Sequence, residues 1–405
     1  MTADNNNLRA ANPGNYVKQH LIDPLSCARC GSCEYACPEE AISMAPNGQN
    51  YVVDPERCSG GHECLYACST EAINAWRMVP EGQMYSLEEQ YAWEELPAEV
   101  ELDGHAIPHP DAAEEMLPSN PPPASASVAI TFLHTQKNPL TARIKHNSRV
   151  TVGESEVHHI VLDVGDGDFP WLEGQNIGVL PPGNDPQGHP HHMRAYSIAS
   201  DRDGETRASR ELALTVKRVV DEWEGQPYHG VASNFLCDLE PGDEVRCIGP
   251  MGEKFLMPQD PEARLLMICT GTGIAPMRGF IQRQQRINPA PHHPLQLVYG
   301  GRTRDEMAYL DELEALPASL VETRLALSRE AAEPKRYVQD LLRERAAELA
   351  DFLAAEKSYI FICGLVAMEQ AVLDALAHAA SLRGLDTDDF YHRLLLEGRL
   401  QVETY

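Results

Sequence analysis

Residues 194–200 read Arg194-Ala195-Tyr196-Ser197-Ile198-Ala199-Ser200, and residues 270–276 read Thr270-Gly271-Thr272-Gly273-Ile274-Ala275-Pro276. In the first stretch, Arg194 supplies a planar fork that suits a pyrophosphate. Tyr196, two residues on, projects from the same side of a strand and offers an aromatic face to a planar ring. Ser197 places a hydroxyl near the edge of such a ring. The second stretch follows the apolar run Leu265–Cys269 and precedes a helical pattern. Glycines at a strand-to-helix turn let the backbone approach a pyrophosphate at the helix N-terminus.

The surroundings of the two stretches differ in period. Around the first, from 128 to about 257, short alternating strands such as 156–164 and 211–219 are punctuated by Gly and Pro, which predicts an antiparallel barrel or sandwich. Gly230 to Leu239 then reads as a helix whose free N–H groups suit a phosphate. Around the second stretch, from 264 onward, apolar strands at 295–301, 324–327 and 359–364 alternate with helices predicted at 276–286, 307–315 and 367–383. That is the pattern of a parallel α/β sheet. Ser328 and Arg329 end one of its strands, and Lys335 and Tyr337 follow closely. Cations beside hydroxyls suit a dianionic phosphate.

The N-terminal region has another character. Seven of the eleven cysteines lie between Cys27 and Cys68. Residues 27–76 repeat with an offset of 31: Cys27 matches Cys58, Cys33 matches Cys64, and Cys37 matches Cys68. Such a repeat implies a duplicated supersecondary unit. The spacing Cys27-x2-Cys30-x2-Cys33-x3-Cys37-Pro38 is that of the bacterial two-cluster ferredoxins, whereas zinc sites rarely use three such steps followed by Pro. From 77 to 127 the chain is rich in Glu, Asp and Pro and reads as a linker. Trp93, Leu96, Met116 and Leu117 suggest docking of parts of it.

From about Leu140 to Tyr405 these motifs, in this order, resemble the plant-type ferredoxin–NADP⁺ reductases. The resemblance implies FAD, with Arg194 and Ser233 on its pyrophosphate, Tyr196 and Ser197 on its isoalloxazine, and Lys217 towards the adenosine. Asp221 stands where the family carries an adenine-stacking Tyr, so Trp223 or Tyr228 is the replacement. It also implies NADPH: Thr272 and Gly273 on the pyrophosphate, and Ser328, Arg329, Lys335 and Tyr337 around the 2′-phosphate. Cys363 and Glu403 would flank the nicotinamide, and Tyr405 would stack on the flavin where nicotinamide docks. Catalytic roles thus fall to Ser197, Cys363, Glu403 and Tyr405, with positioning rather than nucleophilic chemistry for Cys363.

The cysteine module resembles the two-cluster ferredoxins. Their cross-ligation implies a complete site of Cys27, Cys30, Cys33 and Cys68. A second site would hold Cys37, Cys58 and Cys64, with Gly61 where a fourth cysteine stands. That second site is open to a [3Fe–4S] cluster, to a [4Fe–4S] cluster with an outside ligand such as His62, or to none. The expected division is an iron–sulfur domain at 1–76, a linker at 77–127, an FAD-binding antiparallel barrel at 128–258 and an NADP-binding α/β domain at 259–405.

The formal net charge of −28 argues against nucleic acid as a partner. The polar N-terminus and short apolar runs predict no membrane span and a cytoplasmic protein. The whole architecture is similar to the reductase components of benzoyl-CoA oxygenases. The acceptor this implies is a separate di-iron oxygenase (epoxidase) subunit. The other readings are a general NADPH reductase for a ferredoxin or cytochrome, and a non-catalytic interaction subunit.

Overall fold

The computed structural model describes residues 16–27, 29, 31–48, 50–58, 64, 68, 70, 72–73, 76–80, 84–97, 121–184, 188, 190–223, 226–331, 334–385 and 390–405. The chain forms two compact units, Met1–Ser119 and Asn120–Tyr405. Cys30, Gly61, His62, Met116 and Leu117 lie outside the described residues.

In the first unit, β1 (Tyr16–His20) pairs antiparallel with β4 (Trp76–Pro80), and β2 (Ile42–Met44) with β3 (Tyr51–Val53). Between them run helix α1 (Ser32–Ala36) and the cysteine loops. The expected boundary after residue 76 therefore moves. β4 continues the ladder to Pro80, with Arg77 opposite Gln19. Beyond it, α2 (Leu87–Tyr91) starts from a capping box in which Ser86 and Glu89 satisfy each other's backbone N–H groups. Gln90, 1% exposed, accepts from Val53 N–H at 3.0 Å and donates to its carbonyl at 2.9 Å. Asn50 donates to the Trp93 carbonyl at 2.7 Å. Part of the acidic stretch thus belongs to the iron–sulfur unit, because its backbone finds buried partners there.

In the second unit, six strands form an antiparallel sheet: β5 (Leu140–Arg149), β6 (Val157–Asp163), β7 (Asn176–Leu180), β8 (Arg194–Ser197), β9 (Glu211–Lys217) and β12 (Glu244–Met251). Their order is β8-β7-β12-β5-β6-β9. The edges meet through an Ile198–Leu214 bridge, and Ala199 N–H donates to Ala213 at 2.7 Å, so the sheet closes as a barrel. Ile144, Ile160, Leu162, Ile177, Val179, Leu212 and Leu214 fill it. Two additions dress it: the hairpin β10 (Val220–Trp223) with β11 (Gln226–His229), and α3 (Val231–Asp238). Ser125 and Ala126, expected in the linker, are bound to the barrel's end at Gln259 and Pro258.

The remaining strands are β13 (Arg264–Thr270), β14 (Leu295–Gly301), β15 (Val321–Leu327), β16 (Ser358–Gly364) and β17 (Leu400–Thr404). They form a wholly parallel sheet in the order β15-β14-β13-β16-β17. The cores of β13 and β16 are buried throughout, as a sheet covered on both faces requires. Helix α4 (Ile274–Ile287) lays Met277, Phe280 and Ile281 on one face. Helices α5 (Leu310–Glu314), α6 (Val338–Glu344), α7 (Ala346–Leu353), α8 (Val366–Ser381) and α9 (Phe390–Leu396) complete the unit. Phe255 and Met257, from the end of the expected barrel domain, also pack into the core under this sheet.

Candidate functional site

The order of the parallel sheet places its switch point between β13 and β16, where ligands settle in open α/β sheets. There the chain turns through Gly271–Gly273 into α4. A Cβ at Gly273 would stand 2.1 Å from the Cys363 carbonyl oxygen, and one at Gly364 would stand 2.4 Å from Thr270 Oγ1. Only glycine lets the two loops approach this closely, so the backbone at the turn stays bare towards the crevice.

β17 carries the last predicted residues into this crevice. Glu403 pairs with Cys363 in the ladder, and Thr404 with Gly364. Tyr405 N–H donates to Gly364 at 2.9 Å, and its hydroxyl shares a 2.6 Å hydrogen bond with Thr272 Oγ1. The residue remains half exposed (54%). The Cys363 thiol is fully buried, and burial pushes it up, so it stays protonated.

The barrel joins the same place. Ser197 lies opposite Asn176 in the β7–β8 ladder, and Asn176 Nδ2 donates to Glu403 Oε1 at 3.3 Å. Ser197, Glu403, Cys363, Tyr405 and Thr272 are therefore brought into one crevice, with Asn176 as the link that the motifs did not flag. Further along β8, Tyr196 is partly buried against the barrel core, and burial raises its hydroxyl pKa. Arg194 is exposed and donates to its neighbour Met193.

Ser233 sits in the first turn of α3, 6% exposed. Its hydroxyl accepts from Val219 N–H at 3.1 Å and donates to the Gly230 carbonyl at 3.2 Å. It thus holds the helix N-terminus against the end of β9, near exposed Lys217. In the adjoining hairpin, Asp221 lies directly opposite Tyr228. Directly opposed residues share a face, so the half-exposed Tyr228 lies on the same face of the hairpin as Asp221.

At the far end of the crevice, Ser328 N–H donates to Gly301 and Arg329 N–H to Arg302. Arg329, Lys335 and Tyr337 are exposed, and Lys335 Nζ stands 4.9 Å from the centre of the Tyr337 ring. Neither Arg329 nor Lys335 has a carboxylate partner among the described residues, in a chain with 61 acidic and 33 basic side chains. Unspent cations of this kind fit an anionic ligand.

Barrel and α/β sheet are locked together. Arg278 of α4, 6% exposed, makes paired 2.8 Å hydrogen bonds to Glu205 and one of 2.9 Å to the Ala199 carbonyl. It also stacks 4.8 Å over the Tyr309 ring. Burial alone would raise the Glu205 carboxyl, but hydrogen bonds from Arg278 and His159 outweigh it and hold it well below the usual range. Arg286 binds Asp201 at 2.5 Å. Burial pushes Asp201 up to about 6 despite that contact. His158 and His159 are mostly buried. His158 binds Asn147 at 2.7 Å, and His159 binds Tyr309 at 3.0 Å.

In the first unit, Cys27, Cys33 and Cys64 are buried in one apolar cluster, with Cys37, Cys58 and Cys68 packed against it. None is in a disulfide. Arg29 N–H points at Cys27 Sγ (3.4 Å) and Ala41 N–H at Cys37 Sγ (3.3 Å). Converging thiols with backbone donors aimed at sulfur fit iron–sulfur ligation. Cys37, Cys58 and Cys64 line one cavity together with His20.

Comparison with known proteins identifies the family. Residues 26–72 match the 4Fe-4S dicluster domain, and residues 267–374 the oxidoreductase NAD-binding domain. The chain is 36% identical over 288 residues to the ferredoxin–NADP reductase of Thermosynechococcus vestitus, covering 67% of this chain and 74% of that one. It is 35% identical to the reductase of a Spirulina species, covering 67% of this chain and 97% of that one. The chain belongs to the ferredoxin–NADP reductase family. A solved structure of the Plasmodium falciparum ferredoxin–NADP⁺ reductase superposes with a TM-score of 0.55 at 25% identity, over 69% of this chain and all of that one. As a member of the family it is an NADPH-dependent flavin oxidoreductase, here with an iron–sulfur domain on the same polypeptide. Among the described residues, no helix is long and apolar enough to cross a membrane.

Proposed function

We propose that the chain is the reductase of a two-component oxygenase system, taking electrons from NADPH and delivering them through its iron–sulfur domain to a separate oxygenase. The reading rests on one combination: a reductase crevice and a thiol cluster suited to iron–sulfur ligation on one chain. FAD held there would supply a two-electron acceptor for hydride that can pass electrons on singly. A partner that consumes single electrons is the natural acceptor. The overall likeness to the benzoyl-CoA oxygenase reductases favours a di-iron epoxidase acting on benzoyl-CoA in the cytoplasm.

The chain's own groups divide the work. Arg194 and the α3 N-terminus held by Ser233 clamp the flavin pyrophosphate, Lys217 faces the adenosine, and Tyr228 covers the adenine. Tyr196 and Ser197 orient the isoalloxazine. The bare turn at Thr272 and Gly273 receives the nicotinamide pyrophosphate. Ser328, Arg329, Lys335 and Tyr337 bind the 2′-phosphate. Glu403, held by Asn176, and the protonated Cys363 thiol shape the pocket for the nicotinamide. Tyr405 is held by Thr272 over the mouth of that pocket and must swing away to admit it. Cys27, Cys30, Cys33 and Cys68 hold a [4Fe–4S] cluster, and Cys37, Cys58 and Cys64 hold a second cluster, [3Fe–4S] or [4Fe–4S].

The test compares acceptors. NADPH oxidation coupled to product formation by purified benzoyl-CoA epoxidase should far exceed that with cytochrome c or a free ferredoxin. Equal rates with all three would replace this reading with that of a general reductase.

A further inference from the structure

The cavity lined by Cys37, Cys58 and Cys64 has a fourth polar side of its own. His20, the last residue of β1, is 1% exposed and lines the same cavity. Its backbone is fixed by pairing opposite Trp76 at the end of the β1–β4 ladder. Gln19 before it turns to the other side, where its amide exchanges hydrogen bonds of 2.7 and 2.9 Å with the Tyr85 backbone. Strand alternation then drives His20 towards the thiols. Its Nδ1 stands 4.0 Å from Cys58 Sγ.

That distance separates two roles. Ligands on different irons of a cluster are held apart by the iron–iron edge and by the splay of both bonds. A nitrogen within hydrogen-bond reach of a coordinating sulfur is instead placed to donate to that sulfur. A second polar side chain beside these thiols has the opposite character. Glu39 Oε2 lies 3.8 Å from Cys37 Sγ, a contact that is favourable to a thiol and repulsive to a thiolate.

We propose that His20 donates an Nδ1–H hydrogen bond to the Cys58 thiolate and so raises the reduction potential of the cluster held by Cys37, Cys58 and Cys64. This rests on the reading that this second cluster exists. A donor drains charge from the sulfur and stabilises the reduced, more negative cluster. His20 is thus a positioning and tuning residue, and it tilts electron flow towards this cluster without touching iron.

The experiment is an EPR-monitored redox titration of the full-length holoprotein, wild type, His20→Leu and His20→Gln, with iron and sulfide counted for each. About seven or eight irons per wild-type chain establish both clusters. About four would remove the second cluster, and this proposal with it. With both clusters present, His20→Leu should lower the one-electron equilibrium constant of the second cluster about tenfold, about 59 mV. The first cluster and the flavin should keep their potentials. His20→Gln, which retains an N–H donor, should restore most of the shift. An unmoved midpoint in His20→Leu overturns the proposal. So does loss of the second cluster's iron in both variants, which would make His20 a ligand or scaffold. Loss in His20→Leu alone, with a near-native midpoint in His20→Gln, supports it.

Discussion

Arg329 and Lys335 stand exposed without carboxylate partners among the described residues, although acidic side chains outnumber basic ones 61 to 33. A charged hydrogen bond to a ligand is worth about 1.5–3 kcal/mol. Replacing either residue with Ala should therefore raise KM for NADPH by about 10- to 100-fold while leaving KM for NADH nearly unchanged. Steady-state kinetics with both cofactors checks this, and equal changes for the two would sink the 2′-phosphate assignment. The two ring positions predict opposite effects. Tyr405→Ser removes a ring that must be displaced and should tighten NADP⁺ binding, measured by difference absorbance. Tyr228→Ala removes an adenine platform and should weaken FAD binding by about 0.5–1.5 kcal/mol, measured by flavin release. Unchanged constants would contradict each role. The place of Tyr405 beside Thr272 was legible in motif order. For the adenine the sequence offered Trp223 or Tyr228, and Tyr228 is preferred here because it stands directly opposite Asp221 in the hairpin. Asn176 gave no signal, because its partner Glu403 lies far away in sequence.

At the scale of elements, α4 does two jobs. Its N-terminal turn faces the crevice, and its body carries Arg278 into the barrel. Breaking a buried pair on one side costs about 3–5 kcal/mol. Arg278→Met should lower stability by that order and reduce the rate of flavin reduction by NADPH, since the two ring sites lose their common frame. The pH dependence has a definite sign. The Glu205 carboxyl is depressed in the folded state, so its contribution is complete above the unfolded value of about 4.3 and is lost as pH falls below it. Denaturation midpoints of wild type and variant should accordingly converge below about pH 4. A gap that does not narrow would contradict the Glu205–Arg278 account. Strand and helix periods exposed the barrel and the parallel sheet from sequence. They could not reveal the clamp, because Glu205 and Arg278 lie 73 residues apart and neither sits in a motif. The linker's inner edge was missed for a similar reason. Its acidic composition masked a capping box at Ser86 and one buried amide, Gln90.

At the scale of the molecule, the clustered cysteines and the reductase crevice belong to separate compact units of one chain. Under the proposed function, electrons pass from NADPH into both kinds of centre. The clustering of the cysteines was readable from spacing, whereas His20 was not, since it lies on a strand outside the cysteine loops. The most direct measurement is an anaerobic titration of the purified holoprotein with NADPH, followed by visible absorbance and EPR on the same samples. The account predicts bleaching of the flavin band together with the growth of signals from reduced iron–sulfur clusters at substoichiometric NADPH. Flavin that bleaches while every cluster stays oxidised, or a protein that NADPH leaves unchanged, would contradict it.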